Sequence, residues 1–341
     1  MTAVSGGLID ARGRALRDLR ISVTDRCNFR CVYCMPRAEF GPNHDFLSEA
    51  KLLTFEEIER VARVAAALGI RKVRLTGGEP LLRRGIDDLV ERLSSIGDLD
   101  VAMTTNGALL AAHARELVRA GLGRITVSLD AIDPATFAAM SDTRVPVSVV
   151  LNGIDVARAV GLSPIKVNVV VRRGLNQSSI LAIADHFRSR EVIVRFIEYM
   201  DVGTTNRWKL DQVVAADEIV DTIGEKFPLE PVEARYAGEV ATRYRYVDGS
   251  GEIGVIRSVS APFCGDCTRA RLSADGQVHT CLFSSSGHDL RALLRSGATD
   301  RELTDRLAAV WTAREDRYSE LRADIDGPSH GERVEMSYIG G

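Results

Sequence analysis

The chain has 341 residues, 45% apolar and 27% charged, the balance of an ordinary soluble globular protein with room for one large core plus an appendage, or for two domains. A net charge of −3 argues against general nucleic-acid affinity and leaves room for a local arginine cluster that holds a small anion. No uncharged apolar run approaches the ~18 residues of a membrane span, and residues 1–7 lack the pattern of a secretory leader, so a cytoplasmic location is expected, where thiols stay reduced.

In chain order, strands are predicted at 19–23, 72–75, 101–104, 124–129, 165–171 and 192–197. Helical patterns lie between them at 54–68, 86–95, 111–120, 149–160 and 179–188. Thr54-Phe55-Glu56-Glu57 has the Thr-x-x-Glu form of a capping box. Gly69, Gly121 and Gly161 each follow a helical run, where a left-handed residue ends a helix. This alternation predicts a parallel sheet with helical crossovers. Six units are two short of a full barrel, and a doubly wound sheet is the alternative. The placement of unusual residues favours a partial barrel. Cys27, Gly77-Gly78-Glu79, Thr105-Asn106-Gly107, Ser128, Asp130, Lys166, Asn168, Glu198 and Met200 sit at or beyond successive strands, where barrel active sites are assembled. The expected fold is an incomplete parallel (β/α)6 TIM-type barrel over 1–228 with a C-terminal α+β capping region over 229–341. In that region 236–247 and 251–257 read as a hairpin turning at Asp248-Gly249-Ser250-Gly251, with helices near 288–295 and 300–314.

All six cysteines fall into two triplets, Cys27-x3-Cys31-x2-Cys34 and Cys264-x2-Cys267-x13-Cys281, separated by 230 positions. Disulfides use cysteines in pairs, and a closed structural zinc site takes four ligands. Two triplets point to two metal centres, each with an open coordination position. Thiolates favour iron–sulfur clusters, zinc or copper(I), and a four-iron cluster held by three cysteines keeps one iron free. Zinc completed by His44 at the first triplet, or by His279 at the second, remains the alternative. Arg269 and Arg271 are two apart, so on a strand they share a face, and the guanidinium fork suits phosphate. Arg20, Arg74 and Lys166 on barrel strands need an anionic partner if they point inward.

Cys27-Asn28-Phe29-Arg30-Cys31-Val32-Tyr33-Cys34 resembles the Cys-x3-Cys-x-aromatic-Cys signature of the radical S-adenosylmethionine (SAM) superfamily, with Tyr33 at the aromatic position. Thr76-Gly77-Gly78-Glu79-Pro80 resembles its GGEP element, in which missing Cβ atoms let the backbone approach a ligand. Further motifs follow in order: Asp25-Arg26-Cys27-Asn28, Thr104-Thr105-Asn106-Gly107, Val127-Ser128-Leu129-Asp130, Arg195-Phe196-Ile197-Glu198-Tyr199-Met200, the Arg269-x-Arg271 pair and the terminal Gly340-Gly341. Together they are similar to the GTP 3′,8-cyclase family of molybdenum-cofactor biosynthesis, from about Leu19 to the C-terminus.

The resemblance implies two [4Fe–4S] clusters and SAM as cofactors. Cys27, Cys31 and Cys34 would hold the SAM cluster, and Tyr33, Gly78, Ser128 and Met200 would contact SAM. Cys264, Cys267 and Cys281 would hold an auxiliary cluster that meets the guanine base. Arg20, Arg74, Thr105, Lys166, Arg269 and Arg271 would bind GTP, with catalytic roles for Arg269, Arg271, Gly340 and Gly341. The implied reaction is abstraction of H3′ from GTP by a 5′-deoxyadenosyl radical, followed by C3′–C8 bond formation. Implied partners are GTP, a reducing electron donor and a downstream cyclic pyranopterin monophosphate synthase, with no nucleic acid and no membrane; a homodimer is left open. A peptide-modifying radical SAM enzyme with an auxiliary cluster, and a zinc scaffold without turnover, are the competing readings.

Overall fold

The structure is a computed structural model and describes residues 7–236, 238–322 and 333–340. Six strands carry the barrel: β1 (Asp18–Ser22), β2 (Lys72–Thr76), β3 (Asp100–Thr105), β4 (Arg124–Ser128), β5 (Ile165–Val171) and β6 (Val192–Glu198). They pair in parallel and in sequence order. The crossovers hold α1 (Phe55–Ala67), α2 (Ile86–Ser94), α3 (Leu110–Arg119), α4 (Pro134–Ser141), α5 (Val147–Ala159) and α6 (Ile180–Phe187). In α1 the Thr54 side chain accepts from the Glu57 N–H while Glu57 accepts from the Thr54 N–H, which satisfies two N-terminal donors of the helix. Its Ile58, Val61, Ala62 and Ala65 recur at the helical period and are buried. Gly69, Gly121 and Gly161 follow α1, α3 and α5 with positive φ, as the sequence predicts. Helix α4 is an addition to the predicted elements, started by Asp133 accepting from the Thr136 N–H with Pro134 in the first turn.

Beyond α7 (Ala216–Gly224) come β7 (Leu229–Val232), β8 (Thr242–Tyr246), β9 (Glu252–Ile256), β10 (Arg269–Leu272), β11 (Gln277–His279) and β12 (His288–Asp289). Then follow α8 (Arg291–Arg295), α9 (Asp300–Thr312), α10 (Tyr318–Leu321) and α11 (Met336–Ile339). The C-terminal region does more than cap: it extends the sheet at both edges. The order is β12-β11-β10-β1-β2-β3-β4-β5-β6-β9-β8-β7, with β10 parallel to β1 and β9 parallel to β6. The hairpin is present as β8–β9, but its first strand starts at Thr242 rather than at 236. Tyr236 and residues 238–241 stand outside the strand, and Gly238 there has φ +86°.

In β5 and β6 every second residue, from Ile165 to Val171 and from Val192 to Glu198, is buried. Those positions pack under the helices, and the alternate ones face a lumen. The interiors of full eight-stranded barrels are filled with layers of apolar side chains. Here several inward positions are cationic, Arg20, Lys72, Arg74, Lys166 and Arg195 among them, and the lumen is a cavity.

Candidate active site

One cavity runs along the inner face of the sheet. Its wall contains all six cysteines, together with Tyr33, Gly78, Ser128 and Met200, and also Arg20, Arg74, Thr105, Lys166, Arg269 and Arg271. Strand direction explains how two distant triplets share it. Cys27, Cys31 and Cys34 follow β1, so they lie at the C-terminal ends of the parallel strands. Cys264 and Cys267 precede β10, which runs parallel to β1 with Asp18 opposite Arg269, so they lie at the opposite end. Because β11 is antiparallel to β10, with Arg271 opposite His279, the chain returns and delivers Cys281 to the same end. At ~3.3 Å rise per residue, the strand length from Asp18 to Ser22 separates the two levels by ~13 Å.

At the first end the thiol of Cys27 accepts from the Phe29 N–H (3.4 Å) and from Asn106 (3.7 Å). The Tyr33 hydroxyl donates to Asp130 (2.8 Å), whose other oxygen accepts from the Val170 N–H (2.8 Å). Desolvation lifts the Asp130 carboxyl to about 6. Asp130 belonged to a recognised motif, yet its role in fixing Tyr33 was not legible there. The turn after β2 has a second physical reason for its glycines. A Cβ on Gly78 would come within 2.2 Å of the Arg26 carbonyl oxygen, and one on Gly77 within 2.5 Å of that of Thr24. The Gly78 N–H donates to Thr24 O (2.7 Å) and the Glu79 N–H to Arg26 O (2.8 Å). These glycines therefore fasten the cysteine loop to the second turn, besides facing the cavity. The fully buried Glu79 accepts from the Leu81 N–H, the Thr105 hydroxyl and the Asn106 N–H. Thr105 reaches the cavity wall, but its hydroxyl is used by Glu79 and by the Gly107 N–H. The neighbouring Thr104 hydroxyl meets Arg74.

Between the two ends lies a belt of cations. Arg20 pairs in register with Arg74 on one side and Arg271 on the other. Arg74 donates to Thr104 and Thr126 (3.1 Å each). Desolvation, then the charges of Arg271, Arg269 and Arg74, lower the pKa of Arg20 well below that of a free guanidinium. Desolvation and neighbouring cations bring Arg74 and Arg271 to about 10, Arg195 to about 9 and Lys166 to about 7. Crowded, poorly solvated cations of one sign call for an anion. Arg195 and Lys72 also line this belt and were missed as site residues. The period-two alternation of Ile193, Arg195 and Ile197 carried the signal for Arg195.

At the far end Arg269 donates to the Cys267 thiol (3.9 Å), and the Phe283 N–H donates to Cys281 (3.4 Å). Desolvation raises Cys27 and Cys281 to about 11. Burial opposes ionisation of Cys267 too, yet Arg269 and Arg314 bring it to about 6. The donor sets fit iron–sulfur clusters: three soft thiols each, with N–H groups directed at the sulfurs. Among the described residues no three His, Cys, Asp or Glu side chains close on a point suited to one ion. His44 lines a separate cleft, its ring tilted against Phe40 and edge-on to Phe46. His279 meets Ser284 (3.0 Å). The tail returns to the lumen: Arg271, 3% exposed, donates to the Gly340 carbonyl, and a Cβ on Gly340 would clash with Thr76. Gly341 lies outside the described residues.

Residues 21–187 match the Radical SAM superfamily and residues 192–320 match Molybdenum Cofactor Synthesis C. The chain is 53% identical to a GTP 3′,8-cyclase of Acidothermus cellulolyticus, covering 97% of this chain and 98% of that protein. It is 47% identical to a GTP 3′,8-cyclase of Staphylococcus aureus over the same shares. Among solved structures, SuiB of Streptococcus suis bound to S-adenosylmethionine aligns over 90% of this chain and 68% of that one, with TM-score 0.60 and 16% identity, a likeness of fold. It supports the partial-barrel architecture. No helix among the described residues is long and apolar enough to cross a membrane.

Proposed function

The chain belongs to the GTP 3′,8-cyclase family, and from that premise we propose that it converts GTP to (8S)-3′,8-cyclo-7,8-dihydroguanosine 5′-triphosphate, the first step of molybdenum-cofactor biosynthesis. The observation that carries this reading is the cation belt between two cysteine triplets in one cavity. Arg20, Arg74, Lys166, Arg269 and Arg271 offer the charge and the forked donors a triphosphate needs, and Arg195 and Lys72 add to them.

Cys27, Cys31 and Cys34 are the proposed ligands of one [4Fe–4S] cluster, and Cys264, Cys267 and Cys281 those of a second. The first, with SAM, supplies a 5′-deoxyadenosyl radical for hydrogen abstraction at C3′ of GTP. The protein's own part is positional. Gly78, Ser128, Met200 and the Asp130-anchored Tyr33 border the space for SAM. The belt fixes the triphosphate, directing the ribose towards the first triplet and the guanine towards the second. Holding reacting atoms ~3–3.5 Å apart replaces an encounter in solution with a single oriented complex. The C-terminal tail, seated on Arg271 through Gly340, narrows the mouth and helps keep water from the radical. On this reading 1–228 serves the SAM end, and 229–341 the guanine end and the diglycine tail. A reducing electron donor and a downstream cyclic pyranopterin monophosphate synthase complete the proposed partners, and a cytoplasmic setting is part of the same proposal.

The test is anaerobic reconstitution with iron and sulfide, reduction with dithionite, and incubation with SAM and GTP. Mass spectrometry should find 5′-deoxyadenosine and a GTP isomer of unchanged mass and shifted retention, both dependent on GTP. Deoxyadenosine without the isomer would refute the substrate, and colourless protein containing zinc would refute the chemistry.

A further inference from the structure

Behind the second cysteine loop, three charged side chains that this reading does not use are buried together: Asp10 (5% exposed), Arg14 (4%) and Arg314 (4%). Asp10 accepts from the Arg12 and Arg14 N–H groups through one oxygen (2.9 Å each). Its other oxygen meets Arg14 Nε (2.6 Å) and Arg314 Nη1 (3.3 Å). From this anchor both guanidiniums reach the second cysteine loop by its main chain. Arg14 donates to the carbonyl of Cys264 (2.8 Å) and to that of Asp316 (2.7 Å). Arg314 donates to the carbonyl of Cys267 (2.7 Å). Trp311 completes the clamp, donating to Arg14 O (3.2 Å) beneath the Arg314 guanidinium, 4.6 Å from its ring centre.

The charge count is uneven. Two buried cations share one fully buried carboxylate, and Asp316, whose side chain is 32% exposed, offers Arg314 a longer contact of 3.4 Å. Arg14 Nη2 and Arg314 Nε have no hydrogen-bond partner among the described residues. Arg269 stands on the same side of the loop. At the other end of the lumen the balance is different: the acidic groups Glu79, Asp130 and Glu335 act on the first triplet, opposed at Cys27 by Arg30, whereas at the second triplet Arg269 and Arg314 act on Cys267 and Asp316 opposes them only at Cys281. Positive charge close to a metal centre favours its more negative, reduced form, and second-shell groups of this kind tune potential.

We propose that Arg14 and Arg314, tied together by Asp10, are positioning residues of the second metal centre, which hold the 264–267 loop by its carbonyls and keep it under net positive charge. The centre held by Cys264, Cys267 and Cys281 then has a higher reduction potential than the one held by Cys27, Cys31 and Cys34. This rests on the reading of both triplets as cluster ligands.

The experiment uses the full reconstituted chain and an EPR-monitored redox titration, with the first centre's signal assigned from a protein lacking Cys264, Cys267 and Cys281. Three variants are compared: Arg314→Gln, Arg314→Lys and Asp10→Asn. The native second centre should titrate at the higher potential. Arg314→Gln should move it to more negative values and Asp10→Asn to more positive ones, while Arg314→Lys stays near native. A purely structural disturbance would move Gln and Asn variants the same way. Iron present at both triplets with potentials unmoved by these changes overturns the inference alone. Absence of iron from the second triplet of the native chain overturns it together with the reading beneath it.

Discussion

Lys166 offers a direct test of the cation belt, because above pH 7 most of the free protein should lack its proton until an anion arrives. Desolvation, then the charges of Arg195, Arg124, Arg74 and Lys72, bring its ammonium down to about 7. At pH 8 the free protein then carries a proton on Lys166 in only about one molecule in eleven. A bound triphosphate reverses the local field and restores the proton, so binding takes up ~0.9 proton at this site. The sign follows: GTP affinity is highest below pH 7 and falls as pH rises, by up to ~1.4 kcal/mol per unit, until the bound-state pKa is passed. The last phosphate ionisation lies near 6 and is complete at pH 8, so it adds no proton change there. Isothermal titration of GTP into the reconstituted protein without SAM, in two buffers of different ionisation enthalpy, measures the uptake. Lys166→Arg keeps the charge and stays protonated at pH 8, so its uptake should be lower by ~0.9. Lys72, brought to about 8 chiefly by desolvation, contributes to both proteins and cancels. Equal uptake by native and variant proteins would remove Lys166 from the phosphate site.

Arg269→Ala removes a charge-assisted donor worth ~1.5–3 kcal/mol, so GTP binding should weaken ~10- to 150-fold while SAM cleavage persists; unchanged GTP affinity would refute its assignment. Gly78→Ala forces a Cβ to within 2.2 Å of the Arg26 carbonyl oxygen and should cost ~2–4 kcal/mol of stability, seen as a lower Tm together with iron loss from the first triplet; native Tm and iron content would show that the two loops are not fastened as described. Replacing Cys264 and Cys267 by Ser should halve the iron, from about eight to about four per chain, and abolish the cyclised product while leaving reductive SAM cleavage measurable. Full iron retention would exclude the second triplet as a ligand set.

Most of the barrel strands were legible because aliphatic residues alternate there with polar ones, as in β1, β2, β4 and the start of β5, whereas β3 showed only as a short apolar run; β5 occupies Ile165–Val171 as read from the sequence. Helix α4 was not, since its eight residues show no one-sided apolar pattern; only Asp133-Pro134 marks its start. Tyr236 and Val240 mimic β-type residues and give the hairpin's first strand an early start in the sequence pattern, whereas Gly238 turns the chain and the strand begins at Thr242. The sheet's edges were beyond local reading: β10 meets β1 across some 250 positions, and nothing near Arg269 announces that pairing. The same distance hid Asp10, Arg14 and Arg314, whose contacts join both ends of the chain. The cysteines and arginines stood out by residue type, which does not depend on pairing.

The parallel course of β10 is what turns these residues into one site. Had β10 run antiparallel to β1, Cys264 and Cys267 would have emerged beside Cys27, and Arg271 would no longer stand level with Arg20 and Arg74. Run as it is, the strand places one thiol set at each end of a lumen whose middle is crowded with cations, only partly balanced by Asp18 beside Lys72 (3.3 Å). Those cations repel one another in a poorly solvated space, which raises the free energy of the unliganded fold. A triphosphate relieves that repulsion, so binding energy and folding energy are coupled: GTP at a hundred times its Kd should stabilise the chain by ~2.7 kcal/mol. A neutral nucleoside has the same base and ribose but cannot relieve the belt, and it should stabilise far less. The discrimination in favour of a triphosphate is thus built into strand register, before any base contact is made.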